Sequence, residues 1–177
     1  YRDMRLQLRK MGIPRNKIFT IDNHIELLVK DKPMHCYGIL HQESSGKRVL
    51  IFSHALSSTG AQNVLYQVCD VLRKNDFQVT VVSKSDGILR ERFIEIGIPV
   101  IIIRDIYSKK KNIDELVAWS DMIFVNTLLL YDTVYELSNY NKKLIWWIHE
   151  SGELDYIQED FELIEKKENV SIYSVSP

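Results

Sequence analysis

The chain has 177 residues, 45% of them hydrophobic and 27% charged, with a formal net charge of -1, so it suits one well-buried domain with an appendage. A charge this close to zero gives no electrostatic basis for binding nucleic acid, and local geometry must hold any anionic ligand. Its two cysteines have no metal-ligand spacing or disulfide framework, which is typical of a reducing compartment, and neither a signal peptide nor a membrane span is visible.

Residues 1–46 are predicted to be an N-terminal appendage or the tail of an upstream segment. Residues 4–11 have the pattern of a short helix, and residues 18–21 and 25–29 have the pattern of strands. Residues 44–47 have the composition of a linker. Three histidines in this region have irregular spacing and no carboxylate pattern, so we expect no metal site from them: His24, His35 and His41.

From residue 47 onward the sequence alternates between strand-like and helix-like segments. The predicted strands are residues 49–52, 77–82, 100–103, 122–125, 144–148 and 170–175. Helical periodicity lies between them, in residues 64–72, 89–96, 113–119, 133–137 and 157–164. Asn75 and Asp76 are predicted to end the first helix and Gly97 the second. This alternation predicts an α/β fold for residues 47–177, a Rossmann-like doubly wound parallel sheet.

In such sheets ligands bind beyond the carboxyl ends of the strands, where the strand order reverses, here between the first and fourth strands. Three polar loops are predicted to meet there: residues 53–60, 126–129 and 149–152. The first loop leads into a helix whose unpaired N–H groups suit an anion, most often a phosphate. The candidate ligand-binding residues are Ser58, Thr59, Gly60, Gln62, Asn126, Thr127 and Glu150. Helix capping and strand termination are the structural alternatives for these polar residues.

His149 follows the predicted strand LIWWI and is the candidate catalytic residue. If the alternation continues, it shares one side of the sheet with Ile145 and Trp147. A histidine there can hydrogen-bond a sugar hydroxyl or a phosphate, or act as acid or base; the alternative is a surface histidine. Trp146 and Trp147 are predicted to be core residues on opposite sides. The basic run Lys109, Lys110 and Lys111 is predicted to be a solvated loop, with attraction to anionic lipid as the second interpretation.

Three familiar motifs are missing from the sequence. G-x-G-x-x-G does not follow the first strand, which disfavours a dinucleotide cofactor. A Walker A motif is missing as well, since Gly46 and Lys47 precede that strand. The nucleophile elbow G-x-S-x-G is also missing.

Four segments of the chain carry a resemblance to a known family: RVLIFSHALSSTGAQNVLYQVCDVLRKNDFQVTVVS, FIEIGIPV, DMIFVNT and LIWWIHES. Together they resemble the N-terminal Rossmann-like domain of GT-B glycosyltransferases, particularly the large retaining family numbered four. The first loop of that family usually carries paired glycines and an acidic residue near the donor diphosphate and the acceptor. Thr59, Gly60 and Gln62 match those places, so one glycine and the acid are replaced. The family's histidine after the fifth strand contacts the donor sugar, and His149 matches it.

The resemblance implies an enzyme that transfers a sugar from a nucleotide-sugar donor to a saccharide or lipid-linked acceptor, with retention and without a metal or other cofactor. It also implies that the donor-binding C-terminal domain lies outside this chain. The chain would then supply the acceptor side of the cleft, together with Gly60 and His149, and would be inactive without that partner domain. Because the chain starts at Tyr1 and stops at Pro177 after a predicted strand, we expect it to be cut from a longer protein.

Members of that family commonly build cell-surface polysaccharides or glycolipids. The resemblance therefore implies a cytoplasmic protein with peripheral contact at the inner membrane face. Two other classes of function stay open on the sequence alone. One is a non-catalytic Rossmann-like module that recognises a nucleotide or a partner protein, and the other is a nucleotide-using enzyme such as an epimerase or methyltransferase.

Overall fold

A computed structural model describes residues 18–21, 24–27, 34–38, 46–106, 110–150 and 158–175. Several predictions fall outside these residues: the helix at 4–11, His41, linker residues 44 and 45, Lys109, and residues 151 and 152 of the third polar loop. Within the described ranges, no helix is long and apolar enough to cross a membrane. The same ranges contain no group of three or more His, Cys, Asp or Glu side chains arranged to hold a metal ion.

The described residues form nine strands in one sheet. They are β1 (Ile18–Ile21), β2 (His24–Leu27), β3 (Met34–Tyr37), β4 (Arg48–Ala55), β5 (Gln78–Ser85), β6 (Val100–Ile103), β7 (Met122–Asn126), β8 (Lys143–Ile148) and β9 (Val170–Ser174). Their order is β1-β2-β3-β6-β5-β4-β7-β8-β9. The last six strands are parallel, and their order is the Rossmann order 3-2-1-4-5-6. The first three strands extend the sheet in antiparallel fashion from β6.

Helices cover both faces of this sheet. They are α1 (Gly60–Lys74), α2 (Leu89–Glu95), α3 (Lys110–Trp119), α4 (Tyr131–Leu137), which follows a 3-10 turn (Leu128–Leu130), and α5 (Gln158–Glu165). One core packs α1 and α2 against the sheet through Leu65, Cys69 and Phe93. The other packs α3, α4 and α5 through residues such as Val117 and Val134. Two cores on opposite faces confirm the predicted doubly wound fold.

The helix ends follow the sequence prediction. Asn75 caps α1, and Asp76 after it adopts a left-handed conformation with φ 62°. Gly97 does the same after α2, with φ 77°. Residues in this conformation let the last carbonyl groups of a helix find partners. The basic run is different from the prediction, because Lys110 and Lys111 are exposed but begin α3 instead of lying in a loop.

Strand β4 is longer than predicted. The sequence places residues 53–60 in a loop, but the strand continues to Ala55, where Ser53 and Ala55 pair with Ser83 and Ser85 of β5. The Ser53 hydroxyl donates a hydrogen bond to the Ala55 carbonyl (2.8 Å), so the buried polar side chain is satisfied within the strand. The loop prediction for residues 53–55 is therefore wrong. The consequence is that His54 sits at the carboxyl end of a central strand.

Candidate functional site

The reversal of strand order lies between β4 and β7, as the Rossmann topology requires. At the carboxyl edge of these strands and of β8 lies a group of residues with two sets of hydrogen bonds, one around His54 and one around His149. We call it the switch-point cluster, and it consists of His54, Gln62, Asn126, Thr127, His149 and Glu150. Three parallel strands and the first turn of α1 therefore bring five of the sequence-predicted residues together, along with His54.

The first turn of α1 has no side-chain cap. Thr59 is the N-cap residue, but its hydroxyl hydrogen-bonds the side-chain oxygen of Gln62 instead of a backbone N–H group. Ser58 is exposed and pairs with Asn63, so it does not cap the helix either. The first turn contains no acidic residue, and nothing lies within 4 Å of the position that a Cβ on Gly60 would take. The positive end of the helix dipole is thus open to a ligand.

His54 joins three elements and is the site residue that the sequence reasoning missed. Its Nδ1 atom lies 3.2 Å from the Thr127 hydroxyl, and the Gln62 side-chain nitrogen lies 3.3 Å from both ring nitrogens. The amide group of Gln62 therefore packs against the imidazole ring of His54. Burial lowers the pKa of His54, Glu150 opposes this effect and Lys84 adds to it. The signal was available, because His54 continues the alternation of buried Leu50 and Phe52.

Thr127 has a strained backbone at the start of the 3-10 turn. Its φ of 82° and ψ of 154° fall in a region that is essentially confined to glycine, and the residue is fully buried. Hydrogen bonds fix it on both sides, because its N–H donates to the Trp147 carbonyl (2.8 Å) and its carbonyl accepts from Trp146 Nε1 (2.9 Å). Such strain costs about 1–3 kcal/mol and tends to cluster at functional sites.

His149 lies on the same side of β8 as Trp147, as the alternation predicts, with ring centroids 4.3 Å apart. Its Nε2 atom is 2.9 Å from Asn126 Oδ1. Burial lowers the pKa of His149, and the charge of Glu150 partly opposes the shift. Trp146 is fully buried in the core on the other face, whereas Trp147 is half-buried. The ring face of a half-exposed tryptophan beside a neutral histidine suits a polar ring-shaped ligand.

Glu150 binds backbone groups in this structure. Its Oε2 atom accepts hydrogen bonds from the N–H groups of Leu128 (2.8 Å) and His149 (3.1 Å). The carboxylate thus holds the chain after β7 against the chain after β8. A second pair of charges lies nearby, where Lys84 Nζ is 3.0 Å from an Asp132 carboxylate oxygen at the start of α4. Charged groups around the switch-point cluster are therefore paired or bound to the backbone.

A family model described as Glycosyl-transferase family 4 matches residues 45–171. The chain belongs to this family. The matched residues run from before β4 into β9 and contain the whole switch-point cluster. Membership of family 4 supports a glycosyltransferase-type function with a sugar donor and an acceptor as substrates. Comparisons with curated proteins and with solved structures gave no match.

Proposed function

We propose that this family 4 chain is the N-terminal, acceptor-side domain of a GT-B glycosyltransferase. The enzyme moves a sugar from a nucleotide-sugar donor to a saccharide or lipid-linked acceptor, with retention of anomeric configuration and without a metal. The observation that carries the proposal is the combination, at one edge of the sheet, of an uncapped helix start with the polar cluster around His149. These two features suit the two parts of a sugar nucleotide, its diphosphate and its sugar.

The diphosphate is assigned to the start of α1. Backbone N–H groups there are open, no acidic side chain repels an anion, and the space above Gly60 is free. Ser58 and Thr59 are exposed on the loop before the helix and can contact the same ligand. Gln62 is buried, so its role is to connect Thr59 to His54.

The donor sugar is assigned to His149, whose imidazole hydrogen-bonds a hydroxyl group. The half-buried Trp147 ring beside it offers an apolar surface to the sugar ring. Asn126 and Thr127 are fully buried, so they act by holding His149 and His54 in place from the protein interior. Glu150 keeps the two loops in register through backbone hydrogen bonds, so its contribution to ligand binding is indirect.

The rest of the proposal rests on the family 4 resemblance. A second Rossmann-like domain, supplied by the remainder of the enzyme, binds the nucleotide and completes the cleft, so residues 1–177 alone transfer no sugar. The enzyme builds a polysaccharide or glycolipid in the cytoplasm, with peripheral contact at the inner membrane face. Sugar transfer by residues 1–177 in isolation would refute the inactivity of this part.

The test is calorimetric binding of a panel of nucleotide sugars to the full gene product that contains this chain. We expect one sugar nucleotide to bind, His149→Ala to weaken it about tenfold through a lost hydrogen bond, and Gly60→Val to weaken it more by filling the diphosphate space. His35→Ala on β3, far from this edge in the sheet order, is the matched control. Absence of binding to any nucleotide sugar would favour the Rossmann-like interaction module instead.

Retention has its own measurement. The anomeric proton of the freshly formed product, followed by NMR, must show the same configuration as the donor sugar. An inverted product would contradict retention while leaving the glycosyltransferase assignment intact.

A further inference from the structure

The Asn126 side chain is fully buried at the end of β7, and its two amide atoms have different surroundings. Oδ1 lies 2.9 Å from His149 Nε2. Nδ2 is buried too, and it has no hydrogen-bond partner among the described residues. An unpaired buried donor costs about 1–3 kcal/mol. The position is therefore unfavourable for stability, and the contact that Asn126 does make is with the histidine assigned to the sugar.

The orientation of the amide determines which nitrogen of His149 carries the proton. An amide oxygen only accepts hydrogen bonds, so Nε2 must be the protonated nitrogen. A neutral imidazole has a single N–H, and Nδ1 is then left with a lone pair. Burial lowers the pKa of His149, which keeps the ring neutral at pH 7. No hydrogen bond from a described residue reaches Nδ1.

We propose that Asn126 is a positioning residue that holds His149 in the Nε2–H tautomer, so that Nδ1 accepts a hydrogen bond from a ligand hydroxyl group. An acceptor at Nδ1 is unsuited to a deprotonated phosphate, which has no proton to donate. The tautomer thus directs the hydroxyl-bearing part of the ligand to His149 and leaves the diphosphate to the start of α1. The identification of this ligand as a sugar rests on the proposed function, whereas the tautomer does not.

Long-range 1H–15N correlation spectra of the ligand-free protein test the tautomer directly, with the His149 signals assigned from the spectrum of His149→Gln. We expect the Nε2–H form in the natural protein. In Asn126→Leu, which has a similar volume and no amide, and in the smaller Asn126→Ala, we expect a mixture of both neutral forms. Asn126→Asp should raise the pKa of His149, because a carboxylate stabilises the imidazolium.

An Nδ1–H form in the natural protein would overturn the proposal, since the amide would then be rotated with its nitrogen toward the ring. An unchanged tautomer in both amide-free variants would overturn it too. A merely structural asparagine predicts no change in the tautomer and a loss of stability. We expect Asn126→Leu to keep or raise the melting temperature, because it removes the unpaired donor.

Binding of the sugar nucleotide to the full gene product separates this inference from the proposed function. We expect Asn126→Leu to weaken binding about tenfold, and the double variant with His149→Ala to be no weaker than the single variants, since both act on one hydrogen bond. If the tautomer is as proposed and no sugar nucleotide binds, the proposed function fails and the positioning role stands. If binding is unaffected by Asn126→Leu, the positioning role fails and the proposed function stands.

Discussion

Gly87 gives the sharpest test of how the loop before α1 is held in place. A Cβ atom on this residue would lie 2.3 Å from the Leu56 carbonyl oxygen, 2.4 Å from its carbonyl carbon and 2.8 Å from the Ser57 nitrogen. All three are backbone atoms, so no side-chain rotation can relieve the clash. The same Leu56 carbonyl accepts a hydrogen bond from the Leu89 N–H group (3.0 Å), which ties the loop to α2. Gly87→Ala must therefore move the chain that leads into α1.

The expected loss of stability follows from these contacts. Overpacking a close-packed site costs about 1–3 kcal/mol. Disrupting the hydrogen bond between Leu56 and Leu89 adds about 1 kcal/mol, for a total of about 2–4 kcal/mol. In a domain of this size each kcal/mol lowers the melting temperature by about 2–4 °C, so Gly87→Ala should unfold about 5–15 °C earlier.

Gly60→Ala is the matched control, since it is the same substitution in an open position at the start of α1. Nothing lies within 4 Å of its added Cβ, and alanine is the better helix former, so its melting temperature should be unchanged or slightly higher. Thermal unfolding followed by circular dichroism measures both variants. If Gly87→Ala has the melting temperature of the natural protein, or if Gly60→Ala lowers the melting temperature as much as Gly87→Ala does, the loop is not held by this backbone contact.

Three further predictions concern the strained backbone of Thr127, the titration of His54 and the uncapped start of α1. Thr127→Gly and Thr127→Ala both remove the threonine side chain, but only glycine adopts φ 82° without strain, so in urea unfolding Thr127→Gly should be the more stable of the two by about 1–3 kcal/mol; equal stability would argue against strain. Burial lowers the pKa of His54, so protonation favours the unfolded chain and the free energy of unfolding should fall as the pH drops below about 6.5. His54→Gln should reduce that fall, and an unchanged pH dependence would contradict the assignment. Thr59→Asp should cap α1 and add about 0.5–1 kcal/mol of stability while abolishing nucleotide-sugar binding by repulsion of the diphosphate; retained binding would place the diphosphate elsewhere.

Much of the fold could be predicted because the central parallel strands are covered on both faces. The central strands have short apolar sequences, and helical periodicity separates the six strand-like segments, so the parallel strands and the Rossmann order follow from the pattern. The antiparallel strand β3, in contrast, was not predicted from the sequence pattern. It has four residues, and its pairing with the neighbouring strands β2 and β6 identifies it, through pairs such as Cys36 with Ile101. A pairing of this kind between distant residues leaves no local signal.

The position of the candidate site could be predicted from the sequence, but the contacts of its individual residues could not. Convergence at the strand reversal follows from topology alone, which is why the sequence predicts that His149, Asn126 and Thr127 lie close together. Their interactions depend on contacts that no local pattern encodes. Threonine strongly favours extended backbone, so nothing predicts that Thr127 adopts φ 82°. Similarly, Glu150 is a plausible ligand contact in the sequence and a partner of backbone N–H groups in the structure.

Three features at this edge lower the stability of the fold, and a single substitution would remove each of them. Glycine would relax Thr127, an apolar residue would remove the unpaired donor of Asn126, and an acidic N-cap in place of Thr59 would satisfy the start of α1. Together the first two cost about 2–6 kcal/mol, a large share of the 5–15 kcal/mol that holds a typical domain together. All three costs fall where the strand order reverses, and this concentration supports the ligand site that we propose for this edge.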